Sequence, residues 1–148
     1  MIERKLDDKV SVAPQIAPED VAALQEQGIT ALICNRPDSE VTPDLSSAAL
    51  GDAAALAGLS FAHVPLGPGG LTLDAIRAHL DAIDAASGPV LAYCASGTRS
   101  AYLWAFAMAM ADRMTTDDIL EALDRAGYPS PGMGPQLDQV RSLGADAD

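Results

Sequence analysis

The chain is short of positive charge. Of its 148 residues, 9 are Lys or Arg and 21 are Asp or Glu, which gives a formal net charge of −12 at neutral pH. A surface of that sign repels nucleic acid and anionic lipid headgroups, so we expect neither nucleic acid nor a membrane as a partner. A local cluster of arginines in such a chain is informative, because the rest of the surface repels anions.

Metal ligands and disulfides are scarce as well. The two histidines and two cysteines form none of the spaced pairs that are typical of zinc sites, so we expect no metal and no cofactor. The positions of Cys34 and Cys94 do not indicate a disulfide, and two free thiols are typical of a reducing compartment.

Long apolar segments are missing. The longest run, residues 101–111, is about half of a membrane span, and the charged start of the chain does not fit a signal peptide. Aromatic residues make up only 4% of the chain, so the core must be built from Ala, Leu, Val and Ile. We expect a soluble, cytoplasmic single domain over residues 1–148, ending in a disordered acidic tail at 144–148. The sequence does not indicate an oligomeric state.

Apolar segments too short for helices alternate with segments of helical character. The predicted strands cover 10–16, 29–34, 60–64 and 90–94, and the predicted helices cover 18–27, 43–57, 72–87, 98–112, 117–125 and 135–143. Pro14 favours an edge position for the first strand. This alternation predicts an α/β sandwich with a central, mostly parallel sheet of four or five strands flanked by helices.

The strongest chemical signal is the segment Pro89-Val-Leu-Ala-Tyr-Cys94-Ala-Ser-Gly-Thr-Arg99-Ser100. A short apolar strand ends at Cys94, and an apolar helix begins at once after a tight turn. Small residues of the turn allow the backbone to direct its N–H groups inward as an anion-binding nest, next to the positive end of the helix. These loop residues are Ala95, Ser96, Gly97 and Thr98.

Three side chains of this segment have predicted roles in catalysis. Cys94 is the expected nucleophile, because a helix N-terminus and a nearby guanidinium favour the thiolate. Arg99 can donate to two oxygens of a bound oxyanion; a salt bridge to an acid such as Asp38 is the alternative. Ser100 is placed to donate a hydrogen bond to the thiolate, or only to begin the helix.

A second polar loop, residues 35–40, is expected beside the first, since the carboxyl ends of parallel strands meet at one edge of a sheet. Asn35 and Arg36 are candidates for anion binding there. Asp38 is a candidate catalytic residue, although a short acidic side chain after Pro37 also stabilises its own turn. The connector at 65–70 is expected to form a third wall.

The other candidate groups have ordinary structural interpretations. Cys34 could act as a resolving thiol for Cys94, but a buried strand residue is favoured. His63 is expected to be a structural strand residue, and His79 is expected on the exposed side of an amphipathic helix.

Several segments together resemble a known family, the bacterial beta-lactamase-hydrolase-like, protein-tyrosine-phosphatase-like proteins. They are Asn35-Arg-Pro-Asp38, Val64-Pro-Leu66 and Tyr93-Cys-Ala-Ser-Gly-Thr-Arg-Ser100 followed by Trp104. The resemblance covers nearly the whole chain. It implies a phosphatase-like fold, a nucleophile at Cys94 and an anion-binding arginine at Arg99. It also implies a sulfide-related setting with a persulfide dioxygenase-like partner.

The chain departs from the tyrosine phosphatase pattern in three respects and from the family pattern in one. Tyr93 replaces the usual histidine before the nucleophile, and four rather than five residues separate Cys94 from Arg99. The connector at 65–70 contains no Asp or Glu to serve as the general acid. Ala95 stands where many relatives carry arginine.

These features lead to three hypotheses. The first is a sulfurtransferase that carries sulfane sulfur as a Cys94 persulfide and takes a small anionic or persulfide substrate, because a short loop without a general acid suits that chemistry. The alternative is a tyrosine- or dual-specificity-type phosphatase that forms a phosphocysteine, with Asp38 or Glu40 as the acid. The third is a non-catalytic anion-binding module.

Overall fold

A five-stranded mixed sheet forms the centre of the molecule. The computed structural model describes residues 3–67 and 70–146. The strand order in space is β1-β2-β5-β3-β4, and only β1 is antiparallel to its neighbour. The sandwich and its mostly parallel sheet are confirmed. The strands are β1 (Arg4–Lys5), β2 (Val10–Ala13), β3 (Ala31–Cys34), β4 (Ser60–His63) and β5 (Val90–Tyr93).

Strand β2 is not the edge strand that the sequence predicted, because the chain before it folds back as β1. Asp7 closes this turn by accepting hydrogen bonds from the backbone of Lys9 at 2.8 Å and of Val10 at 2.7 Å. Its other carboxylate oxygen accepts a hydrogen bond from Trp104 Nε1 at 2.9 Å, which ties the hairpin to a buried helix.

Six α-helices surround the sheet in the described part of the chain. Threonine side chains cap two of them: Thr72 accepts from Ala75 N and Thr115 accepts from Asp118 N, both at 3.1 Å. None of the helices in residues 3–67 and 70–146 has the length and apolarity needed to cross a membrane. The helices are α1 (Val21–Glu26), α2 (Ser47–Ala57), α3 (Leu73–Ala85), α4 (Thr98–Met110), α5 (Thr116–Ala126) and α6 (Gly134–Asp146).

Helix α2 begins four residues later than predicted. Pro43–Leu45 form a separate 3-10 turn, and Ser46 is in an extended conformation that cannot continue a helix. Ser46 instead caps α2 by accepting a hydrogen bond from Ala49 N at 3.2 Å.

The last helix is longer than predicted. Helix α6 continues beyond Leu143 to Asp146, so residues 144–146 are helical where the sequence indicated an acidic tail. Residues 147 and 148 lie outside the described residues.

The sheet separates two apolar layers. On one face α1 and α2 pack on side chains such as Leu32 and Leu91, and on the other face α3 to α6 pack on side chains such as Val12, Ile33 and Ala92. Helix α4 is buried on nearly all sides, as its composition predicted. The carboxyl ends of β2, β3, β4 and β5 meet at one edge, where the loops after them come together.

Helix α3 corrects one expectation. His79 was predicted to be exposed, but it is fully buried between Ile76 and Ile83 on the side of α3 that faces the core. The spacing of these residues, three and then four positions, is that of a helix face, so the signal was present in the sequence. Burial lowers the pKa of His79 to about 4.

Candidate active site

The loop after β5 places a buried cysteine at its base. Cys94 has no exposed surface, and its backbone N–H donates to Ala13 O at 3.3 Å, which fixes the loop to the end of β2. Gly97 has a φ of 91°, and its N–H donates to Cys94 Sγ at 3.1 Å. The backbone therefore curls over the sulfur as the sequence predicted.

The other backbone N–H groups of the loop are available to bind an anion. Ala95 and Ser96 are exposed, and within the described residues their backbone N–H groups donate to no protein acceptor. Thr98 N reaches only the Ser96 hydroxyl, at 3.4 Å. Together with the first turn of α4, these groups can receive an anion.

Tyr128, which follows α5, closes one side of the loop. Its hydroxyl donates to Ser96 O at 3.2 Å. A Cβ added to Gly97 would lie 2.2 Å from the same hydroxyl oxygen, so both the φ angle and the space require glycine. No motif in the sequence links Tyr128 to this loop.

Arg99 forms a fork-to-fork ion pair with Glu40. Nη1 donates to Glu40 Oε2 at 2.9 Å and Nη2 donates to Oε1 at 2.8 Å, while Nη1 also donates to Leu66 O at 2.9 Å. A guanidinium has five N–H groups. Within the described residues no oxygen accepts a hydrogen bond from Nε–H or from the second N–H of Nη2, and this edge matches two oxygens of an oxyanion. After Glu40, the nearby Cys94 thiol also contributes to the raised pKa of Arg99.

Glu40 also organises the second arginine. Arg36 Nε donates to Glu40 Oε1 at 3.2 Å, and Arg36 Nη1 donates to Gln15 Oε1 at 3.3 Å. The hydrogen bond from Arg99, more than that from Arg36, lowers the pKa of Glu40. The sequence had suggested Asp38 as the salt-bridge partner of Arg99, but the structure places Glu40 there.

Asp38 is turned towards α2. Its carboxylate accepts hydrogen bonds from the Ser47 backbone at 2.7 Å and the Ser47 hydroxyl at 2.8 Å. The backbone hydrogen bond is the main cause of its lowered pKa, so the group is ionised at neutral pH. The structure thus connects Asp38 to the start of a helix and leaves its predicted catalytic role without a supporting contact.

Asn35 does not line the anion loop. It is fully buried, and Nδ2 donates to Val64 O at 3.0 Å and to His79 Nδ1 at 3.2 Å. The amide therefore joins the end of β3 to α3 below the site. Its place in the predicted anion-binding set was wrong, because both amide hydrogens are used internally.

Ser100 and Cys34 are both buried. Within the described residues Ser100 Oγ has no hydrogen-bond partner, so the predicted bond to Cys94 is not formed. Cys34 Sγ donates to Arg36 O at 3.4 Å, and burial raises the pKa of this thiol. Cys34 packs with Tyr93 on the α1–α2 side of the sheet, whereas alternation along β5 directs Cys94 to the other side, which favours the structural interpretation of Cys34.

The exposed histidine, His63, contacts the second polar loop. His63 is at the end of β4, and its Nε2 lies 3.1 Å from Arg36 O. Across residues 3–67 and 70–146, no three His, Cys, Asp or Glu side chains are grouped as a metal site would need.

Comparison with known proteins identifies a family. Residues 3–111 match the phosphatase-like domain of the beta-lactamase hydrolase-like proteins. A beta-lactamase hydrolase-like protein of Agrobacterium fabrum is 30% identical over 115 residues, which are 78% of this chain and 27% of the relative. The chain spans about a quarter of the length of the curated relatives it matches.

Solved structures share the fold. A phosphatase candidate from Neisseria meningitidis is 32% identical with a TM-score of 0.78, and the match covers 93% of this chain and 97% of that one. PTPMT1 has a TM-score of 0.77 at 15% identity, over 99% of this chain and 98% of that one, which shows a common fold. The sequence match and the cysteine loop agree, and the chain belongs to the phosphatase-like domain family of the beta-lactamase hydrolase-like proteins.

Proposed function

We propose that this domain hydrolyses phosphate monoesters through a covalent phosphocysteine on Cys94. The observation that carries the proposal is the loop itself: the Gly97 N–H lies 3.1 Å from Cys94 Sγ, and the free edge of Arg99 belongs to the same loop. The family and the phosphatases among its structural neighbours support this reading over the sulfurtransferase that the sequence first favoured.

The reaction needs two displacements at phosphorus. The Cys94 thiolate attacks phosphorus, the S–P bond forms, and the P–O bond to the leaving group breaks with its electron pair on oxygen. Water then attacks phosphorus, the S–P bond breaks, and the thiolate and inorganic phosphate are released. The loop N–H groups and Arg99 stabilise the oxygens that gain charge in both steps.

Neither carboxylate of the 35–40 loop is free to protonate the leaving oxygen. The carboxylates of the 35–40 loop are Asp38, held by Ser47, and Glu40, held by Arg99, and the pKa of each is lowered. The connector between β4 and α3 has no carboxylate before Asp74. We therefore expect good leaving groups, such as phenolates, to be strongly preferred over alkoxides.

Sulfur transfer is the second candidate function, because it needs no general acid. In that reaction the Cys94 thiolate attacks the outer sulfur of thiosulfate, and the S–S bond breaks as sulfite departs with the electron pair. An acceptor thiolate then attacks the outer sulfur of the Cys94 persulfide and regenerates the thiolate. Sulfite needs no proton to leave, and a loop with four residues between Cys94 and Arg99 suits a small ligand.

Paired assays on one preparation decide between the candidates, with Cys94→Ser as the control. One assay follows hydrolysis of p-nitrophenyl phosphate, and the other follows thiosulfate-dependent sulfur transfer with mass spectrometry of Cys94. Phosphate release that disappears in the variant supports the proposal. Sulfur loading without phosphate release replaces it with sulfur transfer, and inactivity in both assays favours a non-catalytic anion-binding module.

A further inference from the structure

An uncharged groove begins beside the cysteine loop. It has a volume of about 420 Å³ and lies between α4, α6 and the connector before α3. Two exposed glutamines, Gln136 and Gln139, lie at its rim, and no charged residue lines it. Its apolar walls are Leu66, Leu71, Tyr102, Phe106, Met133 and Val140.

The groove adjoins the anion-binding loop at Leu66. Leu66 lines the groove, and its carbonyl oxygen accepts the hydrogen bond from Arg99 Nη1 at 2.9 Å. Tyr102 and Phe106 follow Arg99 on α4 by three and seven positions, which places all three on one side of the helix. The Arg99 side of the anion-binding loop therefore lies next to the apolar groove.

The absence of charge in this groove is unusual for so highly charged a protein. One residue in five is charged, yet the groove has none, and Leu71 at its mouth is among the few large apolar side chains with substantial exposure. The volume is within the range of small-molecule sites. An exposed apolar surface that adjoins a chemical site is typical of ligand binding.

We propose that this groove binds the apolar chain of the substrate, so that the preferred ligand is a single-chain alkyl phosphate with its head in the Cys94–Arg99 loop. The inference rests on the proposed function, which places the phosphate head group of the substrate in the Cys94–Arg99 loop. The groove selects for phosphate monoesters with an alkyl chain, because the methylene groups of that chain are buried against Tyr102 and Phe106. The acidic surface outside the site repels every phosphate alike, so the apolar contact is what distinguishes an alkyl phosphate from inorganic phosphate.

Binding to Cys94→Ser protein, which does not turn over, tests the inference by titration calorimetry. Butyl phosphate, octyl phosphate, octanol and inorganic phosphate are the probes. We expect roughly a fourfold gain in affinity for each buried methylene, and so about two orders of magnitude between butyl and octyl phosphate. Octyl phosphate should bind more tightly than both octanol and inorganic phosphate.

Two matched variants test whether the alkyl chain of the ligand binds in the groove. Leu71→Glu in the Cys94→Ser background should remove most of the gain from the longer chain, whereas Leu56→Glu, at a 92% exposed leucine on α2, should leave it unchanged. Equal affinities for butyl and octyl phosphate, equal effects of the two variants, or octanol binding as tightly as octyl phosphate would each overturn the inference. If the unmodified protein does not hydrolyse p-nitrophenyl phosphate, only the proposed function is overturned. The alkyl phosphate inference is tested separately, because these titrations need no turnover.

Discussion

Glu40 holds Arg99 by two hydrogen bonds, at 2.8 and 2.9 Å, across 59 positions of the sequence. This pair sets the direction of the guanidinium and leaves its Nε edge for a substrate. Because the carboxylate is ionised and bonded to both Arg99 nitrogens, we expect it to position Arg99 and not to donate a proton.

Glu40→Gln should weaken phosphate binding while the protein stays folded. A neutral amide offers one oxygen in place of two, so Arg99 loses one arm of its fork and its fixed orientation. We expect kcat/KM for p-nitrophenyl phosphate to fall by on the order of 10²-fold, mostly through KM. Steady-state kinetics measure the loss, with Glu26→Gln at an exposed site on α1 as the control.

The same variant separates positioning from acid catalysis. A positioning residue affects p-nitrophenyl phosphate and phenyl phosphate by similar factors. A much larger loss with phenyl phosphate, whose leaving group needs a proton more, would show that Glu40 acts as the general acid instead.

Asp38→Asn should change stability in a pH-dependent way. The folded carboxyl has a pKa below the ordinary 3.8, because Ser47 donates to its ionised form. Its contribution to stability is therefore present above that ordinary pKa and disappears as the pH falls through the folded value. Urea unfolding should show the variant to be less stable at neutral pH and equal to the parent in strong acid.

A second result would contradict this interpretation of Asp38. Asp52→Asn, on the exposed side of α2, provides the control for removal of a carboxylate. If Asp38→Asn left stability unchanged and abolished hydrolysis, the carboxyl would have the catalytic role that the sequence suggested.

His79→Gln should reduce the loss of stability in mild acid. The pKa of His79 is about 4 in the folded protein and 6.5 as the ordinary value, so between these values the unfolded chain binds more protons. Stability therefore falls as the pH drops through this window, by up to about 1.4 kcal/mol per pH unit from this group. Denaturant titrations across the window should give a shallower slope for the variant.

His63→Gln is the matched control, since His63 is the other histidine and is exposed. It controls for the removal of an imidazole at a site that is not buried. Identical slopes for the parent and both variants would show that His79 is not the group responsible.

Gly97→Ala should abolish anion binding without unfolding the domain. The positive φ costs an alanine about 1–2 kcal/mol, and its Cβ would displace either the loop or Tyr128. Calorimetry with inorganic phosphate measures the loss. Gly58→Ala has a similar φ of 81° but no atom within 4 Å of the new Cβ, so it should be destabilised and still bind.

Removal of the Tyr128 hydroxyl tests whether this contact causes the loss of anion binding in Gly97→Ala. Gly97→Ala combined with Tyr128→Phe relieves the closest contact and should recover part of the binding. No recovery would show that the hydroxyl contact is not what makes glycine necessary, and would leave the φ angle and the Tyr128 ring, 3.1 Å from the added Cβ, as the causes.

Much of the loop could be predicted because its parts are neighbours in the chain. Cys94, Gly97 and Arg99 come together through one strand, one turn and one helix start, and each of these has a local sequence signal. The same holds for α4, whose apolar composition on all sides already required burial.

The predictions that failed depended on contacts between distant segments. Asn35 was placed in the anion loop because it follows a strand, but its amide donates to Val64 and His79 inside the protein. His79 was placed on the surface because a polar residue was assumed to face water. The packing of α3 on the sheet buried it instead.

By itself, the sequence determined the α/β sandwich and the strand–turn–helix course of the Cys94 loop, because hydrophobic period and turn chemistry are local properties. Only the tertiary structure decided that Glu40 rather than Asp38 holds Arg99, that Tyr128 closes the loop, and that an apolar groove adjoins it. Those relationships join residues from separate elements, and their distances depend on how helices and loops pack around the sheet.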